Sequence, residues 1–134
     1  MKYIIASGPV IIENGKVLLN KHGSTKRDKN WKFIGGEMKK GETPEETAIR
    51  EAKEEMGVDV KLIKPLETVV VFDKDKTIFL LHFLAKRINN TITPNAEIKE
   101  WKWISVDDIL NNRVAYLSEN IKPIVEETLK NLVI

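Results

Sequence analysis

The stretch Gly36–Val58, "GEMKKGETPEETAIREAKEEMGV", decides how this chain is read. Thr43 can cap a helix, Pro44 suits its first position, and Glu46 completes a capping box. Gly57 suits the left-handed residue that ends a helix. A helix from about Pro44 to Met56 is therefore expected. At about 100° per residue, Ala48, Ile49, Ala52 and Met56 form one apolar stripe that should pack inward. Glu51, Glu54 and Glu55 share the adjacent face, because positions three and four apart are neighbours. Like charges at that spacing cost roughly 0.2–0.5 kcal/mol per pair. Glu54 and Glu55 also sit at the negative end of the helix dipole, at roughly 0.3–1 kcal/mol each. A bound divalent cation would turn both costs into binding energy. A set of oxygen ligands favours Mg²⁺ or Mn²⁺ over zinc. Taken in isolation, the acidic run also reads as a solvated face with an Arg50–Glu54 ion pair.

The rest of the chain places this helix. The apolar runs around Asn14-Gly15 predict a hairpin. Residues 23–30, "GSTKRDKN", read as a loop, "WKFI" (31–34) as a short strand, and "GGEMKKGE" (35–42) as a glycine-punctuated loop. Strands are expected at "VDVKLI" (58–63), "ETVVVF" (67–72) and "EWKWIS" (100–105). "TIFLLHFLA" (77–85) is apolar on both faces and should be central in a sheet covered on both sides. Ser105 can cap a short helix at "VDDIL" (106–110), and Ile121, Val125, Leu129 and Leu132 have helical spacing, with Pro123 tolerable in the first turn. Strands, helix, strands, helix predicts a mixed sheet between helices, in the α/β (α+β) class.

Bulk properties narrow the function. The 134 residues suit one domain, taken as 1–134. A formal net charge of +2 argues for neither a nucleic-acid nor a membrane surface. No apolar run approaches the roughly 18 residues of a membrane span. The absence of cysteine removes disulfides and thiolate metal sites, and fits a cytoplasmic protein.

From Gly36 the fixed positions are Gly36, Glu42, Arg50, Glu51, Glu54, Glu55 and Gly57, with the aliphatic Val58 after them. This spacing resembles the box of the Nudix hydrolases, which cleave nucleoside diphosphates linked to another moiety. Chance agreement is on the order of once in 10⁸ starting points. Ala52 stands where a larger aliphatic residue is usual, a difference of packing rather than chemistry. The lead-in "WKFIGGEMKKGE" resembles that of MutT-type members, with Ile34 in place of the usual proline, and "EIKEWKWISVDDI" resembles the family's last strand and short helix.

The resemblance implies a Nudix-like α/β/α sandwich and a site residue by residue. Glu51, Glu54, Glu55 and the carbonyl of Gly35 would hold Mg²⁺. Arg50 would orient Glu54 or a neighbouring carboxylate. Glu42 would support the loop–helix junction or bind metal in the outer shell. Gly36 would let the loop turn tightly. A glutamate on a late loop joins the metal or base set in MutT-type relatives. Here Glu97 is the candidate, with Glu100 behind it; a solvated loop carboxylate is the alternative.

Lys39 could pair with phosphate or be solvated. Trp31 could support a base or pack in the core. His22 could touch substrate, and Lys26, Arg27 and Asp28 in the long loop could contact base or phosphate, a mobile solvated loop being the default reading. His82 reads as a satisfied core residue, and Trp103 as core.

The implied activity is Mg²⁺-dependent hydrolysis of a pyrophosphate bond. A (deoxy)nucleoside triphosphate, split to monophosphate and pyrophosphate, is the favoured substrate. Hydrolysis of ADP-ribose or dinucleoside polyphosphates, and a non-catalytic nucleotide-binding domain, are the alternatives. Removal of pyrophosphate from an RNA 5′ end is a further alternative: the near-neutral charge disfavours a large nucleic-acid footprint, though an end-binding enzyme would need little. Many members of the family dimerise, but no surface in the sequence marks a homodimer contact.

Overall fold

The computed structural model describes residues 1–23 and 29–132. Strands β1 (Lys2–Glu13) and β2 (Lys16–His22) form the expected hairpin. Asn14 and Gly15 have φ of 52° and 74°, the positive pair that a two-residue type I′ turn requires. Beside the turn, Ile12 pairs with Val17 and Glu13 with Lys16. Beyond that point the strands take different neighbours. β1 runs parallel to β6 (Lys76–Arg87) from Lys2 to Ile11, and β2 runs antiparallel to β7 (Ile98–Ser105).

A wedge thus opens between β1 and β2, and residues 31–37 fill it. The expected strand at 31–34 reduces to single bridges, Trp31 to Leu117 and Lys32 to Asn20. The ladder forms instead inside the expected loop, where β3 (Gly36–Glu37) pairs with Ser7 and Ala6. Glycine permits this approach: a Cβ on Gly35 would lie 2.9 Å from the carbonyl oxygen of Ser7.

β4 (Val60–Pro65) and β5 (Val69–Asp73) both pair antiparallel with β6, and the main sheet runs β4-β6-β1-β2-β7. Helix α1 (Pro44–Met56) covers one face; α2 (Val106–Leu110) and α3 (Ile121–Leu132) cover the other. Strand alternation shows this directly. Ile11 and Leu18 pack with Ala52 and Met56, whereas Val10, Val17 and Leu19 pack with Ile109, Ile121 and Val125. The α/β/α sandwich with a mixed sheet is as expected. Ser105 caps α2 by accepting from the amide of Asp108 at 3.3 Å. No described helix is long and apolar enough to cross a membrane.

Two expectations need correction. β6 is buried on both faces only at residues 82–85; Ile78–Leu81 are half-buried. A cavity lies on one side of that half, and α1 stops short of it on the other. Helix α1 buries Ala48, Ala52 and Met56 of its expected stripe but not Ile49. Ile49 is 44% exposed, and the buried row is Thr47, Ala48, Ala52, Glu55 and Met56. The helix presents its Glu51–Glu55 side to the wedge, and Ile49 is carried out to solvent.

Candidate active site

The capping box that starts α1 is complete: Thr43 Oγ1 accepts from the amide of Glu46, and Glu46 Oε1 from that of Thr43. Ser7 Oγ donates to the Pro44 carbonyl at 2.7 Å and ties this end to β1. At the other end Gly57 has φ of 63°, the expected left-handed cap. The 88–97 segment closes over the last turn. The amides of Thr93 and Asn95 donate to the carbonyls of Met56 and Glu55, and Asn95 Nδ2 to that of Glu54. Glu97 follows directly, its amide bonded to Asn95 Oδ1.

Arg50 organises the acidic face. Its guanidinium donates to both oxygens of Glu42, to Glu51 Oε1 at 2.8 Å, to Glu54 Oε2 at 2.9 Å and to the Glu37 carbonyl. Glu42 also accepts from Thr47 Oγ1 at 2.6 Å and from the Lys39 amide at 3.1 Å. This is the junction role expected of Glu42.

The three helix glutamates differ sharply. Glu54 is half exposed, whereas the Glu55 side chain is 3% exposed. Glu55 Oε1 accepts from Asn20 Nδ2 at 2.8 Å and lies 3.1 Å from His22 Nε2; its Oε2 accepts from the Gly35 amide at 3.4 Å. Glu51 sits between these two environments. Burial first, then the neighbouring Glu55 charge, raise the pKa of Glu51 against the pull of Arg50. Its carboxylate presses on the wedge loop: a Cβ on Gly36 would lie 2.5 Å from Glu51 Oε1.

The wedge loop also walls a cavity of about 930 Å³. Gly35 and Gly36 form the end nearest the carboxylates, and Phe33, Ile78, Leu80 and Asn120 line its body. Its size suits a nucleoside-sized ligand, for which pockets run roughly 300–1,000 Å³.

The family model described as "NUDIX domain" matches residues 3–127. The chain belongs to the Nudix family. Curated relatives include an RNA pyrophosphohydrolase of Wolbachia sp. subsp. Brugia malayi (strain TRS), 30% identical over 84% of this chain and 86% of that protein. An 8-oxo-dGTP diphosphatase of Proteus vulgaris is 40% identical over 47% of this chain and 56% of its own length. Among solved structures, a MutT protein from Methanosarcina mazei Go1 superimposes with a TM-score of 0.85 at 22% identity, over 99% of this chain and 97% of that one. These structural likenesses concern the Nudix fold.

Nudix hydrolases generally use divalent metal ions, and the residues present fit such an ion. The donors are all oxygens. Glu51 and Glu55 are like charges held side by side in partial burial, a repulsion that a cation relieves. The missing Cβ of Gly36 leaves the Glu51 carboxylate its place against the loop. Among the described residues, no three acidic or histidine side chains already converge at ligand spacing. Arg50 occupies Glu51 and Glu54 in this state.

Other expected Nudix site residues fall differently. His22 does not face the cavity; it is half-buried against Glu55, whose hydrogen bond raises its pKa against the effect of burial. Trp31 is a core residue, 7% exposed, with Lys21 Nζ 4.5 Å above its ring. Trp31 thus takes the core place that was one of its two readings, and His22 lies against Glu55. The Lys39 ammonium lies 4.0 Å from Glu54 Oε1, at the rim of the acidic face. Glu97 is exposed at the end of α1, near enough to His22 to favour its charged form, whereas Glu100 pairs with Lys21 across the β2–β7 ladder. Lys26, Arg27 and Asp28 lie outside the described residues.

Asn20 was missed. It is fully buried and holds Glu55, while its Oδ1 has no hydrogen-bond partner among the described residues. A polar residue in the buried phase of "KVLLNKH", two positions after Leu18, was the available signal.

Proposed function

We propose that this chain, acting as one Nudix domain, hydrolyses a pyrophosphate bond in a (deoxy)nucleoside triphosphate, releasing monophosphate and pyrophosphate. The observation that carries this reading is continuity. The cavity and the carboxylate row meet at Gly35–Gly36, so a nucleoside in the cavity directs its phosphates at Glu51, Glu54 and Glu55.

Glu51, Glu54, Glu55 and the Gly35 carbonyl would hold Mg²⁺, with Mn²⁺ as an alternative and Glu97 closing the set. The ion's contribution is to shield phosphate charge and to acidify water. Glu54, the most exposed of the three helix glutamates, accepts the proton as water attacks phosphorus and the P–O–P bond breaks. Glu97, just after the Asn95 that bonds the Glu54 carbonyl, is the alternative acceptor. Arg50 holds the carboxylates in register, and Lys39 offers a cation to the outgoing phosphates. Asn20 and His22 anchor Glu55.

A second reading has its own support. Relatives named RNA pyrophosphohydrolase align over 84% of the chain, against 47% for the 8-oxo-dGTP diphosphatase of Proteus vulgaris. A triphosphorylated RNA 5′ end presents the same phosphates and one terminal nucleoside.

The deciding experiment is a substrate panel with Mg²⁺ and Mn²⁺. It would include standard and oxidised (deoxy)nucleoside triphosphates, 5′-triphosphorylated RNA, ADP-ribose and diadenosine polyphosphates, with products separated by ion exchange. Monophosphate plus pyrophosphate from a free triphosphate is expected. Turnover of the RNA end alone selects the second reading. Turnover only of ADP-ribose or dinucleotides keeps the carboxylate row and overturns the substrate. Nucleotide binding without turnover of any member returns the non-catalytic domain.

A further inference from the structure

His82 is a buried titratable group that the pyrophosphate chemistry leaves unused. It stands on the face of β6 that floors the cavity, in one row with Ile78 and Leu80. Its ring is buried, and the Phe33 ring meets it edge-on with centroids 5.5 Å apart. Both ring nitrogens are engaged. Nδ1 lies 3.1 Å from the Glu67 carbonyl oxygen, and Nε2 lies 2.9 Å from Asn120 Nδ2.

These two partners fix the proton. A carbonyl oxygen only accepts, so Nδ1 carries the hydrogen and donates it. In the neutral ring Nε2 is then an acceptor, and Asn120 must turn its Nδ2 toward it. The opposite orientation of the amide would set two acceptors, Nε2 and Oδ1, against each other. The Glu67 peptide is itself held, because its amide donates to both carboxylate oxygens of Glu127 on α3, at 3.1 and 2.8 Å. Asn120 immediately precedes α3, and its carbonyl accepts from the amide of Ile124 at 3.3 Å. Helix α3 thus steadies both ends of the relay from Glu67 through His82 to Asn120.

The Asn120 amide keeps Oδ1 and one N–H for other partners. No described residue bonds to that oxygen, which is open to solvent, and Asn120 lines the body of the cavity. Such a group reads the edge of a base. Adenine and cytosine carry an amino donor where hypoxanthine, guanine and uracil carry a carbonyl acceptor. The ring nitrogen beside it is reversed in the same sense. An amide free to turn over accommodates either pattern, and an amide held one way round accommodates one.

We infer that His82 is a positioning residue for base selection: through Asn120 it presents a fixed oxygen acceptor to the cavity, so that the site separates amino bases from oxo bases of the same ring size. This rests on the reading that a nucleoside occupies the cavity. A charged His82 has the reverse effect. Its Nε2 then donates, the amide turns to offer Oδ1 to the ring, and Nδ2 faces the cavity with its hydrogens. Burial lowers the pKa of His82 and keeps the ring neutral at pH 8, while the Glu67 carbonyl and the Glu127 charge act the other way. Lys32 and Glu119 are the charged residues that share the cavity lining with it.

The test combines nitrogen NMR with binding. In ¹⁵N-labelled protein at pH 8, long-range proton–nitrogen correlation should show His82 as the Nδ1–H tautomer with Nε2 unprotonated. His22 is the chain's other histidine, and loss of one ring in His82→Phe assigns the signals. Binding is measured by calorimetry with AMP against IMP and with CMP against UMP. Within each pair the ring size and the phosphate are the same, so the ratio of Kd values reports the base edge. Wild-type protein at pH 8 should favour one member of at least one pair by about 10-fold or more. His82→Phe frees the amide and should bring that ratio to within about 3-fold of one. For the matching triphosphates the difference should appear in KM, because the base and not the phosphates is read. Between pH 8 and pH 5 the wild-type ratio should shift toward the other member, with the same midpoint as the His82 ring in the NMR titration.

An Nε2–H tautomer at pH 8 overturns the proposal. So does a wild-type ratio near one in both pairs, or a ratio that His82→Phe leaves as it was. If His82→Phe fails to fold, the tautomer and the shared pH midpoint in wild-type protein decide the matter, and a ratio that ignores the His82 titration overturns it. Absence of binding by all four monophosphates, with the Nδ1–H tautomer in place, instead overturns the cavity as a nucleoside site, and the base role falls with it.

Discussion

Arg50 grips Glu42 with two parallel hydrogen bonds, Nε to Oε2 at 2.7 Å and Nη2 to Oε1 at 3.0 Å. These bonds, with those from Thr47 and the Lys39 amide, hold the Glu42 carboxyl at a pKa of about 2. The remaining guanidinium nitrogen spans Glu51 and Glu54. One planar cation therefore sets the spacing between the loop carboxylate and two helix carboxylates.

Arg50→Lys should fail despite keeping the charge, since an ammonium cannot reproduce the fork. A loss of kcat/KM of about 10²-fold is expected, the scale of a displacement of about 1 Å in a catalytic group. Steady-state kinetics at saturating Mg²⁺ checks it; activity near wild type would show that Arg50 only balances charge.

Glu54 and Glu55 should respond differently to change around them. Glu54→Gln alters a half-exposed side chain, so the melting temperature should stay near wild type while turnover falls roughly 10²–10⁴-fold. Asn20→Ala leaves the buried Glu55 carboxylate short of a donor and should cost about 1–3 kcal/mol in urea unfolding. Equal stability of the two variants would contradict the burial of Glu55.

Two glycines in the wedge predict opposite outcomes. At Gly36 an added Cβ meets the end of the Glu51 side chain, which can swing away from Arg50. Gly36→Ala should fold and lose activity. At Gly8 the Cβ would lie 1.8 Å from the Ile34 carbonyl oxygen, with no flexible group to yield. Gly8→Ala should lose about 1–3 kcal/mol or more of stability. Thermal melts beside initial rates separate the two cases.

His82 gives a pH signature. It is 5% exposed, and burial lowers its pKa below the ordinary 6.5. Its Nδ1 faces the Glu67 carbonyl at 3.1 Å and its Nε2 lies 2.9 Å from Asn120 Nδ2, which is the pairing of a neutral ring. The unfolded chain takes up this proton first. The contribution is therefore complete above about pH 6.5 and is lost as pH falls toward and through the folded pKa. The slope is at most about 1.4 kcal/mol per pH unit. His22, whose pKa is raised, acts with the opposite sign. Urea unfolding between pH 5 and pH 8 should show the His82 slope disappear in His82→Gln.

Local chemistry made much of this legible. The capping box, the left-handed Gly57, the Asn14-Gly15 hairpin and the Ser105 cap all formed as expected, because each depends on residues within a few positions. The junction role of Glu42 was legible for the same reason, as it pairs with Lys39, Thr47 and Arg50 nearby. The places of Trp31 and His22 were left open by the sequence. The neighbours that claim them, Lys21 above the Trp31 ring and Glu55 beside His22, depend on how the wedge closes.

By itself, then, the sequence determined the elements outside the 31–37 wedge, the family and the carboxylate row, since turn preference, capping and helical spacing are short-range. Tertiary structure alone decided the flank of α1's buried row: Ala48, Ala52 and Met56 pack inward as read, but Thr47 and Glu55 complete the row and Ile49 does not. The Ala48–Ile49–Ala52–Met56 stripe and the Thr47–Glu55 row lie within part of a turn of each other. The choice between them falls to Asn20 and His22, which lie 35 and 33 residues from Glu55 and bond to it only once β2 and the wedge loop are in place. A buried carboxylate must find its donors. Satisfying Glu55 outweighs burying Ile49, which stays at the exposed flank of the helix.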